Sequence, residues 1–223
     1  MKRCILFAAV AAMLATSCQK TEMTGNDGDF PNAIGFGPAT GKQSKAINQR
    51  TSYVTTETFG MFAYAVTTGS WDANGDLTVP TMGTSAGADP VEISYQAPVW
   101  KAKTGSYYWP NNANTKISFF GYSPFKDATT GTRVAIPATF SKTDGVTFTN
   151  YVNTEADAKV TDLMYATPVK DLTYASAGTI PGRVDFTFNH ALTQVLFRAK
   201  TDAAYTGVTI TVKKITLDGI TSN

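Results

Sequence analysis

One stretch limits what this chain can become. It runs Ser106-Tyr107-Tyr108-Trp109-Pro110, through Asn111, Asn112 and Asn114, to Ile117-Ser118-Phe119-Phe120-Gly121-Tyr122-Ser123-Pro124-Phe125. It reads as two aromatic strands joined by a polar turn. Tyr107 and Trp109 fall on one face of the first strand and Tyr108 on the other; Pro110 ends it, having no N–H to give to a ladder. Asparagines suit the turn because they tolerate left-handed φ and bond their own backbone. In the second strand Ile117 and Phe119 share one face, and Ser118, Phe120 and Tyr122 the other, since strand side chains alternate. Burying one such ring contributes about 1.5–3 kcal/mol. The expectation is a hairpin at the centre of a sheet. It holds no His or Cys, and the nearest acid is Asp127 beyond its end, so it predicts core and not chemistry.

The remaining chain supports an all-β fold. Among 223 residues, 13 Phe, 10 Tyr and 18 Gly are present and only 16% are charged. That mixture favours many short strands with Gly, Pro and Asn turns over helices. The net charge of +2 comes with no basic stripe and no helix-turn-helix or RNA-binding signature, which argues against a nucleic-acid partner. At the N-terminus Lys2 and Arg3 precede a short apolar run, Cys4 to Leu14, and the small residues Ala15-Thr16-Ser17. This is the pattern of a secretory signal peptide over residues 1–17. Leu14-Ala15-Thr16-Ser17-Cys18 also resembles a bacterial lipobox, in which the cysteine becomes the first residue and is acylated. Removal of residues 1–17 leaves 17 basic against 17 acidic side chains, and Cys18 as the one cysteine. No disulfide can then form within the chain, so its stability rests on its core.

Residues 19–30 read as a polar tether. Ala33 to Gly37 is a first short strand with Ile34 and Phe36 on one face. Pro38 to Arg50 is nearly free of apolar side chains and carries Lys42, Lys45 and Arg50, the character of an exposed loop open to proteases. Phe59 to Val66 is apolar on both faces, which predicts a central strand covered on both sides. Later strands are expected at 133–137, 145–149, 162–166, 183–189, 193–200, 208–212 and 215–217, with a weak helical turn at 154–160. Trp71 to Leu77 reads as a hairpin with an Asn-Gly turn; its acids lack the further ligands and distal Glu of a calcium loop. Gly83-Thr84-Ser85-Ala86-Gly87 matches G-x-S-x-G, yet a nucleophile elbow needs a strand before it and a helix after it. Here a Gly/Ser/Thr loop precedes a strand, so Ser85 is expected to be a loop residue. Gly35 to Gln43 fails as a phosphate loop, with Gln43 where Ser or Thr is required. The one histidine, His190, follows an apolar strand and has no second His or free Cys to join it, so a structural role is expected. No catalytic residue, metal ligand or cofactor is assigned.

Phe62-Ala63-Tyr64, Tyr108-Trp109-Pro110, Ile117 to Pro124, Asp162-Leu163-Met164-Tyr165-Ala166 and Phe186-Thr187-Phe188-Asn189-His190-Ala191-Leu192, in that order behind the lipobox, resemble the fimbrillin-like family of Bacteroidetes. Members of that family are lipoprotein subunits of type V pili. The resemblance implies transthyretin-like Greek-key β-sandwiches and no enzymatic activity. It also implies export to the outer membrane and cell surface through acylated Cys18, and cleavage by an Arg/Lys-specific protease after the first strand. The strand so released leaves a groove that a neighbouring subunit fills. Carried onto this sequence, Ile34 and Phe36 plug the groove and Arg50 is the cut site, with Lys45 and Lys42 as alternatives. The partners that the resemblance implies are other pilus subunits, the outer membrane through the lipid anchor, and the processing protease. The domain expectation is residues 1–17 as signal peptide, 18–50 as leader with first strand and processing loop, and 51–182 as one sandwich. Residues 183–223 then begin a second, incomplete sandwich, which makes the 223 residues a fragment. Two further readings remain: an unpolymerised anchor subunit, and a surface lipoprotein whose Trp71, Trp100 and Trp109 stack on glycans if they lie exposed in one patch.

Overall fold

The structure, a computed structural model, describes residues 32–40, 53–127, 134–149, 161–192, 211 and 213–214. Two long strands form its spine, β2 (Thr58–Val66) and β6 (Lys116–Ser123). They pair antiparallel from Gly60↔Tyr122 to Val66↔Lys116. Both carry apolar residues at consecutive positions, so both must be covered on two faces. Phe59, Met61 and Ala63 of β2 join Ile117 and Phe119 of β6 in one buried cluster. Phe62, Tyr64, Val66, Phe120 and Tyr122 form a second cluster on the opposite face.

From this spine the sheet closes on itself. β2 pairs with β4 (Val91–Gln96), β4 with β5 (Val99–Ala102), and β5 with β1 (Gly35–Thr40). β1 pairs with β13 (Arg183–His190), β13 with β11 (Met164–Ala166), and β11 returns to β6. Every pairing in this ring is antiparallel except β1 with β13. Two short strands flank the spine, β3 (Pro80–Met82) on β2 and β12 (Val169–Leu172) on β6. The result is all-β, a sandwich closed in the manner of a barrel, with the first cluster inside the ring.

The hairpin of β9 (Ala138–Ser141) and β10 (Gly145–Phe148) covers the second cluster. Phe140 stacks on Phe62, Tyr64 and Phe120 at 5.8, 5.4 and 4.2 Å between ring centres. A further short pair joins β7 (Lys126–Asp127) to β8 (Val134–Ala135). The edge strand β12 is bulged between Val169 and Leu172, and Asp171 there has φ of 59°. A bulge of this kind twists an edge away from further pairing.

Three expectations are corrected. Tyr107 to Trp109 is not the partner of β6. Both edges of β6 are taken, one by β2 and the other by β11 and β12, so the aromatic segment pairs instead with the chain around Ala33. Trp71 to Leu77 is no hairpin. Trp71–Asn74 is one helical turn, α1, set by the buried Trp71 ring, which lies 5.1 Å from Phe120 and 5.8 Å from Tyr64. Asp171 Oδ1 accepts the Trp71 N–H at 2.8 Å and holds that turn at its start. Finally, Arg183–His190 does not open a second sandwich: β13 is a stave of the first ring, because Val184, Phe186 and Phe188 complete its core. The compact unit runs to Thr193, and residues 194–223 form a separate unit in which only Thr211, Lys213 and Lys214 are described. The expected strands beyond residue 193 and the turn at 154–160 otherwise lie outside the described residues.

Candidate functional site

Strand β1 reads Gly-Phe-Gly-Pro-Ala-Thr. Two glycines and a proline make it a poor strand by propensity, so its conformation is imposed by its neighbours. It runs parallel to β13 through the register Gly35↔Arg183 to Thr40↔Phe188, and on the other side pairs with β5 at Phe36↔Trp100. The Gly35 N–H donates to Gly182 O on the β13 side, whereas the Ile34 N–H donates to Tyr107 O on the other side. By the alternation of a strand, Pro38 turns its imide nitrogen toward the β5 side. On that side β1 pairs with β5 at Phe36 and not at Pro38.

Aromatic residues bound the slot in which β1 lies. At its leading end the Trp109 N–H donates to Asn32 O at 2.8 Å, Ala33 bridges Tyr108, and the Trp109 indole N–H donates to Gly182 O at 2.9 Å. At its far end the Tyr53 ring stacks on Phe188 at 5.1 Å and meets Trp100 at 5.2 Å, while its hydroxyl is 2.9 Å from Ser123 Oγ. Between these ends Ile34 and Phe36 enter the core, with Phe36 only 2% exposed. The Phe36 ring packs edge-on against Phe59, Phe119 and Phe186 at 5.9, 6.0 and 6.2 Å.

The outer face of β1 carries almost no side chain, only Gly35, Gly37 and Ala39. Gly37, Pro38 and Ala39 form one side of a furrow of about 510 Å³, and Arg183, Asp185, Phe186 and Thr187 the other. Arg183 donates to the Asp185 carboxylate through Nε at 2.7 Å and Nη2 at 3.2 Å. Thr179 donates to the same carboxylate through its N–H at 2.9 Å and its hydroxyl at 2.8 Å. Burial pushes the Asp185 carboxyl upward, but the hydrogen bonds from Arg183 and Thr179 and the Arg183 charge outweigh it, holding the group below its ordinary range.

The structure therefore brings Ile34 and Phe36 together in one slot. Cys18, Lys42, Lys45 and Arg50 lie outside the described residues. The glycan-stacking patch is not formed: Trp71, Trp100 and Trp109 are 2%, 9% and 3% exposed, and Trp71 belongs to a different cluster from the other two. Ser85 is exposed in the turn between β3 and β4, and no helix follows it. The Thr84 hydroxyl accepts the Ala88 and Asp89 N–H groups and organises that turn. His190 is buried with Nδ1 2.6 Å from Asp162 Oδ1, a tertiary pair that ties the end of β13 to the segment leading into β11. Among the described residues no group of three His, Cys, Asp or Glu could hold a metal ion.

Sequence reasoning missed Tyr53, the Arg183–Asp185–Thr179 cluster and Asp162. Arg183 and Asp185 carried a usable signal, opposite charges two apart on an alternating strand. Tyr53 carried none.

The fimbrium subunit Fim1C of Phocaeicola vulgatus is 28% identical over 202 residues, covering 85% of this chain and 49% of that protein. A crystal structure of a fimbrial protein from Bacteroides vulgatus aligns with a TM-score of 0.45 and 19% identity, over 71% of this chain and 45% of that one. The chain thus spans about half the length of the curated relative it matches. A model described as fimbrillin-like matches residues 46–223, the greater part of the sequence, and the chain belongs to that family.

Proposed function

We propose that this chain is a structural subunit of a cell-surface fimbrium, without enzymatic activity, and that it assembles by exchange of strand β1 for a strand of another subunit. The observation that carries this reading is β1 itself. It completes the ring between β5 and β13, yet it is joined to β2 through the stretch that contains Lys42, Lys45 and Arg50. While that stretch is whole, β1 competes for its slot at the high effective concentration of a tethered segment, on the order of mM. A cut at Arg50, or at Lys45 or Lys42, makes β1 a separate peptide that is diluted once it leaves. An incoming strand then finds unpaired backbone on both sides and two apolar pockets, the requirements of strand addition.

In this reading residues 1–17 direct export, Cys18 is acylated, and the lipid holds the subunit at the outer membrane until processing. Several buried acyl chains anchor firmly at about 0.8 kcal/mol per CH₂. The family membership and the fimbrium subunit among the relatives support the assembly of this chain with other subunits. The test is the N-terminus and intact mass of the protein recovered from the surface of cells that make it. A start at Thr51 is expected. A start at acylated Cys18 with β1 retained would instead identify an unpolymerised anchor subunit.

A further inference from the structure

We propose that the slot recognises its incoming strand by an absent side chain. The strand that replaces β1 carries two large apolar residues two positions apart and a glycine directly after the second, set against the Arg183–Asp185 pair. This inference rests on the exchange reading above and names the partner's chemistry: an extended apolar–x–apolar–Gly segment of another subunit.

Gly37 lies in register with Asp185. Its φ is not in the left-handed region, so the backbone does not require glycine. The surroundings do. A Cβ built at Gly37 would overlap Asp185 Oδ1 and would lie 3.0 Å from Arg183 Nε. That carboxylate is not free to swing aside. Its two oxygens receive hydrogen bonds from Arg183 Nε, Arg183 Nη2, the Thr179 N–H and the Thr179 hydroxyl. Arg183 Nη2 also reaches Thr179 Oγ1 at 2.7 Å. Gly178 closes the cluster from behind, since a Cβ there would come 2.7 Å from Asp185 Oδ2. A side chain arriving at the Gly37 position must break charge-assisted hydrogen bonds, among the strongest a protein surface offers.

The apolar half of the pattern follows from the same register. The Ile34 and Phe36 positions open into the core, and the Phe36 pocket is walled by Phe59, Phe119 and Phe186. A strand slipped by one residue would put its anchors on the outer face, and the glycine requirement adds a steric penalty to that slip. Large-apolar–x–large-apolar–Gly occurs in these 223 residues only at Ile34 to Gly37. No second segment of these 223 residues therefore competes with β1 for the slot.

The test uses the full chain nicked by trypsin within 41–52, with two labelled synthetic peptides as probes. One is Asn32 to Thr40; the other is the same peptide carrying Gly37→Ala. The first is expected to replace the resident strand and to bind at least tenfold more tightly than the second. In the chain carrying Asp185→Ser the two peptides should bind within about threefold of each other, because the obstructing carboxylate is gone. Equal binding of both peptides to the unmodified chain would overturn the glycine requirement while leaving exchange intact. Binding of neither would overturn the exchange reading and this inference with it. The comparison on the unmodified chain stands whether or not the Asp185→Ser protein folds.

Discussion

Truncating Phe36 to alanine tests whether β1 is part of the core or a loose cover. The ring is 2% exposed and meets Phe59, Phe119 and Phe186 edge-on. Returning such a side chain to water forfeits about 1.5–3 kcal/mol of burial. Each edge-to-face contact adds roughly 0.5–1.5 kcal/mol beyond area, and the cavity left behind adds more. Its walls belong to three strands of the ring, β2, β6 and β13, which cannot close in without breaking their ladders. Some relaxation still offsets the sum, so we expect a loss of about 4 kcal/mol, inside the 3–5 typical of Phe→Ala in cores. Against a domain stability of roughly 5–15 kcal/mol that is a large fraction. The assay is urea unfolding followed by tryptophan fluorescence, because Trp100 pairs with Phe36 and Trp109 bonds to Gly182 beside the strand. With a slope near 2 kcal/mol/M the midpoint should fall by about 2 M, with the slope unchanged. A loss under about 1 kcal/mol would refute the reasoning and show that β1 contributes little to the core. A lowered slope would show instead that β1 peels away before the rest unfolds.

Other substitutions and pH changes probe the remaining parts. Gly87 has φ of 67°, and a Cβ there would overlap the Phe140 carbonyl oxygen; Gly87→Ala should cost more than about 2 kcal/mol in thermal melts by lifting the β9–β10 hairpin. The lowered Asp185 pKa means the unfolded chain takes up its proton first on acidification. Its contribution is therefore complete above the unfolded carboxylate range, near pH 4, and is lost as pH falls through the folded value. Asp185→Asn should flatten that acid limb in urea midpoints measured between about pH 2.5 and 6. Burial pushes the Tyr64 hydroxyl up to about 12, and burial together with the Glu92 charge pushes Tyr122 the same way. Here the unfolded chain loses its protons first, so stability should decline from about pH 10 upward through the folded values. Phenolate absorbance and unfolding should then rise together at alkaline pH, where exposed tyrosines alone would ionise near pH 10 without unfolding.

The all-β class was legible because strand signals are local. Consecutive apolar residues in Phe59–Val66 demanded cover on both faces, and β2 has it; the split of Ile117 and Phe119 from Phe120 and Tyr122 survives unchanged in the two clusters. Alternation in Arg183–Asn189 likewise matches the buried and half-buried positions of β13. What each strand pairs with was not legible. The aromatic segment at Tyr107–Trp109 carries the composition of a hairpin partner for β6, yet it receives the chain at Ala33. The Asn-Gly pair at 74–75 has the form of a hairpin turn, but the buried Trp71 ring draws the segment into a helical turn.

The amino-acid sequence by itself determined the strand-rich character, the two-faced burial of the spine and the apolar pair Ile34 and Phe36, since each depends on neighbours along the chain. Only the tertiary structure decided that β13 closes the first ring and that Tyr53 caps the slot. It alone decided that Gly37 lies under the Arg183–Asp185 pair. Those contacts join residues far apart in sequence, and backbone hydrogen bonds and steric overlap choose among partners that local pattern leaves equivalent.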